Sequence, residues 1–180
     1  PIWLHVKSLV PKTVLLTHGH RDHIGALPVH AVQGKAKILV PKSLSSLVRK
    51  FLIAEAQLNF GDEKQTDEET IAALGEFDIV PVSNNDEILL PKSSYTGSPT
   101  PLAVQIFDAP HKDGVPAVSY GLIQKKTRLK DEYKSLPKSE LGRLIQKHDV
   151  QITEPYNHGL LFYTGDTTID LLSVSICLGG

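Results

Sequence analysis

An α/β fold is predicted by three features of this 180-residue sequence. Apolar stretches with strand-like patterning recur at 13–17, 36–40, 77–82, 102–108, 116–124 and 159–164. Helical spacing fills some of the intervals between them. The hydrophobic content, 41%, is enough to bury a sizeable core in one domain. No internal repeat is evident, so residues 1–180 are read as a single domain.

The first strand, 13–17, carries Val14, Leu15 and Leu16 and runs directly into a histidine-rich turn. The segment 22–32 reads as one helix, with Pro28 tolerated near its first turns. After the strand at 36–40, Pro41 and Ser43 open a second helix over 43–58, the serine serving as its cap. The acidic stretch around Asp62, Glu63, Asp67, Glu68 and Glu69 is a solvated loop and helix start, capped by Thr66 or Asp67. Residues 93–101, rich in Ser, Pro and Gly, form a surface loop, and Lys112, Asp113 and Gly114 form a turn. Over 138–147, Leu141, Leu144 and Ile145 recur at helical spacing and leave Lys138, Arg143 and Lys147 largely on the other side.

From His18 to His23 the chain packs three imidazoles and the Asp22 carboxylate into six positions. Side chains two apart on a strand share a face, so His18 and His20 can reach one ion from the strand's end. Asp22 and His23, in the turn that opens the next helix, face the same cavity and can hold a second ion. Four such groups this close would be a costly desolvated arrangement without a cation to neutralise and orient them. The cluster therefore reads as a hydrolytic metal centre. Imidazole with carboxylate suits zinc best, with Mn2+ or Fe2+ as alternatives, because N and O donors discriminate weakly by themselves. His30, His148 and His158 stand apart and are read as ordinary core or surface histidines. Gly19 and Gly165 are candidates for close backbone approach, with a simple turn role as the equal alternative.

The order His18, His20, Asp22, His23 after a strand resembles the signature of the metallo-β-lactamase superfamily. That resemblance implies a four-layer αββα sandwich with a two-metal hydrolytic site, incomplete at both ends in this chain. Ala109-Pro110-His111, closing the apolar run 102–107, resembles the superfamily's third motif. Phe162-Tyr163-Thr164-Gly165-Asp166-Thr167-Thr168 resembles the fourth. Between them, Val115-Pro116-Ala117-Val118-Ser119-Tyr120-Gly121-Leu122, the basic stretch 125–133 and Ile152-Thr153 resemble ribonuclease Z, nearest to its short eukaryotic form.

The likeness runs from about Thr13 to Leu172 and implies an endoribonuclease that removes 3′ trailers from precursor tRNA. It implies that His18, His20 and His111 hold one Zn2+, that Asp22 and His23 hold another, and that Asp166 bridges the two. Asp22 would also orient or deprotonate the attacking water. A homodimer is implied too, with one subunit's basic segment holding RNA that is cut in the other. The family's pattern starts with a β-hairpin layer ahead of the histidine cluster and ends with further histidines past the fourth motif. This chain is accordingly read as part of a longer one.

A net charge of −1 hides a polarised distribution. Residues 53–88 carry ten acids against Lys64 alone, whereas 124–148 carry eight Lys and Arg against three acids. A solvated basic face is the default reading of such a segment. Its place between the third and fourth motifs makes 124–150 a substrate-binding segment instead, with Lys125, Lys126, Arg128 and Lys130 as RNA contacts. Two other readings stay open: a different hydrolase of the superfamily (thioesterase, lactonase or small phosphodiesterase), and a noncatalytic RNA-binding homologue. Cys177 is the only cysteine, so no intramolecular disulfide and no oxidising compartment are implied. With no run of about eighteen apolar residues and no signal-peptide pattern, a membrane partner is not expected. An intracellular place is expected, cytoplasmic first, with the nucleus or an organelle as alternatives.

Overall fold

The computed structural model describes residues 11–61, 65–91, 100–146 and 150–168. Its elements run β1 (Thr13–Leu15), α1 (Arg21–Ile24), β2 (Lys37–Pro41), α2 (Ser45–Phe60), α3 (Asp67–Leu74), β3 (Ile79–Val82), β4 (Glu87–Leu89), β5 (Leu102–Asp108), β6 (Val118–Leu129), α4 (Lys138–Gln146) and β7 (Thr153–Tyr163). β1, β2 and β3 form a parallel sheet with β2 in the middle. β4, β5, β6 and β7 form an antiparallel sheet in that order.

β2 explains how the layers stack. Ile38, Leu39 and Val40 are all fully buried, as expected of a parallel strand covered on both faces. Alternation sends Ile38 and Val40 toward Val48, Leu52 and Ile53 of α2, with Ile71 and Leu74 of α3 packed at the margin. Leu39 points the opposite way and meets Val104 and Ile106 of β5 and Val118 and Tyr120 of β6. Helix, sheet and sheet are therefore three of the layers expected of the sandwich. Leu52 sits at the centre of the helix–sheet layer, where cutting a buried leucine to alanine costs about 2–5 kcal/mol.

Several boundaries differ from the sequence reading. The single helix expected over 22–32 is broken: α1 ends at Ile24, and a π-type turn takes over at Val29–Gln33. Pro28 lacks the N–H that would continue the helix, so the hydrogen-bond ladder must reset there. Lys42–Leu44 is a 3-10 turn, and α2 begins only at Ser45, whose hydroxyl donates to Lys42 O at 3.0 Å. The cap of α3 is Thr66, within a full capping box: its hydroxyl accepts from Glu69 N, and Glu69 Oε2 accepts from Thr66 N at 2.8 Å. β4 was not expected at all. At three residues with one half-buried position, it presents too little alternation to register as a strand.

The largest differences concern β6 and β7. β6 continues to Leu129 and β7 begins at Thr153, so they extend past the body as a two-stranded ribbon. Its outer pairs, such as Lys126 opposite Tyr156 and Arg128 opposite Glu154, are polar. Such a ribbon shows no apolar period because neither face is packed on a core. Pro155 is tolerated because β7 is an edge strand. Beyond the ribbon, α4 forms where expected over its described length, but none of its residues is buried and Ile145 is 58% exposed. Lys147, His148, most of the loop 93–101, Asp62, Glu63 and Cys177 lie outside the described residues.

Candidate metal centre

His18 lies three residues past the end of β1, in a segment that is no longer hydrogen-bonded as a strand but is still tied down at both sides. Leu16 N donates to Leu39 O at 3.0 Å, and Val118 N donates to Thr17 O at 2.9 Å. The chain therefore delivers His18 into the seam where the two sheets meet. There it is completely buried. His20 is the N-cap of α1, and His23 N donates to His20 O at 3.0 Å, which turns His23 back toward His18. His111 caps the 3-10 turn Lys112–Gly114 that follows β5. Asp166 lies just after β7, in a loop held against the third motif by Thr167 Oγ1 and Thr168 N, which both donate to Pro110 O, at 2.8 and 3.1 Å.

These segments bring four donor groups, from three parts of the sequence, around one imidazole. The His18 ring lies 4.7 Å from that of His20, 4.1 Å from His23 and 4.6 Å from His111, centre to centre. Donor atoms of His18, His20 and His111 fall within 4.8 Å of one another, and so do those of His18, His23 and Asp166. His18 belongs to both triads. Its Nε2 is 3.1 Å from His20 Nδ1 and 3.9 Å from Asp166 Oδ2, and His23 Nε2 is 3.3 Å from the same carboxylate oxygen.

The donor set fits divalent cations. Two nitrogens bound to one tetrahedral zinc stand roughly 3.3 Å apart, close to the His18–His20 separation. Burial, first, and the neighbouring imidazoles of His23, His111 and His20 hold the His18 pKa below its usual value, while Asp166 acts in the opposite sense. The ring is thus neutral at pH 7, with a lone pair available for a metal. His111 Nδ1 donates to Lys112 O at 2.7 Å, which leaves its Nε2 as the free nitrogen.

Asp22 is placed differently from the others. Its Oδ2 is 3.6 Å from His23 Nε2, and its side chain is 78% exposed. It stands beside His23, as expected, but belongs to neither triad; the carboxylate grouped with His18 and His23 is that of Asp166. Of the two glycines, Gly165 has a φ of +63°, and a Cβ there would lie 2.8 Å from Thr17. Gly19 has room for one, with the nearest atom, Leu44 Cδ1, at 3.5 Å. Sequence reasoning missed Thr17, Ser119 and Tyr120. The signal available for the first two was a hydroxyl in an otherwise apolar run, for Thr17 directly beside His18.

The four RNA-contact candidates separate into pairs. Lys125 Nζ is bonded to Glu87 Oε2, at 2.5 Å, and to Asn157 Oδ1, at 3.0 Å. Arg128 Nε donates to Glu154 Oε1 at 2.8 Å, and its guanidinium lies 5.4 Å from the Tyr156 ring centre. Lys126 and Lys130 pair with no carboxylate among the described residues. No helix among those residues is long and apolar enough to cross a membrane.

The chain is similar to three known proteins. It is 28% identical over 144 residues to the nuclear ribonuclease Z of Triticum aestivum, covering 77% of this chain and 69% of that one. It is 27% identical over 173 residues to the chloroplastic tRNase Z of Arabidopsis thaliana, covering 92% of this chain and 42% of that one. A second tRNase Z of that plant is 26% identical over 165 residues, covering 88% and 51%. The chain thus spans between 42% and 69% of the length of these relatives. The model of the metallo-beta-lactamase superfamily matches residues 2–113, a stretch that takes in the strand-end histidines, His111 and the parallel sheet that positions them. With that match over more than half its length, the chain belongs to the metallo-beta-lactamase superfamily.

Proposed function

We propose that this chain carries the catalytic centre of a two-metal endoribonuclease that trims 3′ trailers from precursor tRNA. The observation that carries the proposal is the pair of donor triads sharing His18, with a basic ribbon rising from the same antiparallel sheet. The names of the three relatives support the same substrate.

In this reading His18, His20 and His111 hold one Zn2+, and His18, His23 and Asp166 surround the place of the second. Cations held there supply Lewis acidity and lower the pKa of water toward neutrality. Asp22, exposed and beside His23, orients the attacking water or takes its proton. Lys126 and Lys130 attract the phosphate backbone, while the Arg128–Tyr156 pair offers a stacking surface. The active form is a homodimer in which the ribbon of one subunit holds RNA cut in the other, and it works in the cytoplasm, nucleus or an organelle.

The test is cleavage of a 3′-extended precursor tRNA by the whole protein with Zn2+ or Mn2+, beside Asp22→Ala. Metal-dependent cutting that disappears in the variant while RNA affinity is largely kept is the expected result. Hydrolysis of a thioester with no cutting of RNA would overturn the substrate assignment, and a monomeric active enzyme would overturn the shared-site dimer.

A further inference from the structure

Buried polar residues are few among the described residues: Thr17, His18, Thr70 and Ser119. Thr70 is accounted for by its bond to Thr66 O, made within helix α3. The other three lie together. A hydroxyl is retained in a core only where it has a partner and a reason not to be a hydrophobe of the same shape.

We propose that buried Thr17 and Ser119, with Gly165, form a latch that positions the His18 imidazole against Asp166. The inference rests on the metal-centre reading above. Thr17 Oγ1 lies 3.0 Å from His18 Nδ1. With His18 Nε2 turned toward His20 and Asp166, Nδ1 is the nitrogen left to carry the proton, and it donates to the Thr17 hydroxyl. A valine would fill the same space but could not accept that hydrogen bond. Ligand histidines commonly donate their second N–H in this way, which sets both tautomer and ring orientation. Because His18 stands in both triads, one hydroxyl orients the ring at the centre of the cluster.

The other half of the latch brings Asp166 to the level of that ring. Ser119 Oγ donates to Thr164 O at 3.0 Å, so β6 holds the loop one residue before Gly165. Gly165 then passes directly over Thr17. A Cβ there would lie 2.8 Å from Thr17 Cβ and Cγ2 and 2.9 Å from Oγ1, and the φ of +63° is one that side chains resist. Only glycine lets the loop come down onto Thr17 and place the next residue, Asp166, beside His18. Thr17 is itself anchored from below by Val118 N, the residue before Ser119. The latch thus ties the first and fourth motifs to the same two residues of β6.

These are positioning residues, and a purely structural role makes the opposite prediction. Thr17→Val keeps the methyl packing and removes the hydroxyl; Thr17→Ser keeps the hydroxyl and removes the methyl. Co2+ titration of the full chain, followed by its visible absorption, reads the site without turnover, and thermal unfolding without metal reads the packing. T17V should stay folded and bind Co2+ about 10–100-fold more weakly, whereas T17S should keep wild-type affinity. If T17S proved the weaker binder and T17V matched wild type, the latch would be wrong and Thr17 merely packed. If T17V did not fold, Ser119→Ala would decide: reduced Co2+ affinity is expected, and unchanged affinity overturns the latch. Wild-type protein that bound no Co2+ would overturn the metal-centre reading itself, and the latch with it.

Discussion

The Tyr120 hydroxyl donates to Leu16 O at 2.7 Å, across the seam between the two sheets. The same hydroxyl lies 3.2 Å from Leu39 O. Tyr120 is almost wholly buried in the layer between the sheets, so β6 grips both β2 and the strand end that leads to His18.

Tyr120→Phe should destabilise the fold by about 1–3 kcal/mol, since the buried Leu16 carbonyl loses its phenol donor. Burial also pushes the phenol's pKa above its ordinary value of 10.0. The folded state therefore favours the protonated form. Below pH 10 the phenol is protonated in both states and its contribution is intact; as pH rises past that point the unfolded chain ionises first and stability falls. Urea unfolding of wild type and Tyr120→Phe at pH 8 and pH 11 checks this. The gap between the two proteins should shrink at the higher pH.

His18 stands in both triads, but one imidazole nitrogen binds one ion, so the two groups of donors are separable by mutation. His111→Ala and His18→Ala should each lose one ion and retain the other, and Asp166→Asn should have the complementary effect. Metal content after dialysis against a weak chelator reads this directly. Loss of all metal from both His111→Ala and Asp166→Asn would mean that the donors form a single site.

The basic ribbon should respond unevenly to loss of charge. Lys126→Ala and Lys130→Ala should each weaken RNA binding and lower the salt slope by about 0.7–0.9. Lys125→Ala should do less, because Glu87 and Asn157 already engage that ammonium and keep it from phosphate. Binding isotherms at several salt concentrations distinguish the cases; a larger effect at Lys125 would refute the pairing argument.

Thr66→Ala removes one side of the capping box at the start of α3 and should cost about 0.5–2 kcal/mol, with Thr66→Ser close to wild type. Chemical denaturation of the three proteins checks it. Because α3 stands apart from the histidines, metal affinity should be unchanged.

The cluster of candidate donors was legible in the sequence because its chemistry is dense and local. His18, His20 and His23 lie within six positions, and His111 and Asp166 each follow an apolar strand with a glycine or proline beside them. The parallel strands were legible for a similar reason, since β2 is an uninterrupted apolar run buried on both faces. The cap of α3 narrowed to two neighbours from composition alone, and one hydrogen bond decided for Thr66.

Tertiary structure decided what depends on partners distant in the chain. Asp22 and Asp166 are both carboxylates near histidines in sequence terms, but only the fold sets Asp166 against both His18 and His23 and leaves Asp22 at the rim. Lys125 and Arg128 look as available as Lys126 until β4 and β7 bring Glu87 and Glu154 beside them. The long β6–β7 ribbon has no apolar period to announce it, because its stability comes from cross-strand pairs and not from one buried face. Residue types and their spacing determined which chemistry the chain can hold. The meeting of segments a hundred residues or more apart, as at Tyr120 and Leu16 or at His18 and Asp166, decided which of those residues come together, because burial and hydrogen bonding are settled by neighbours in space.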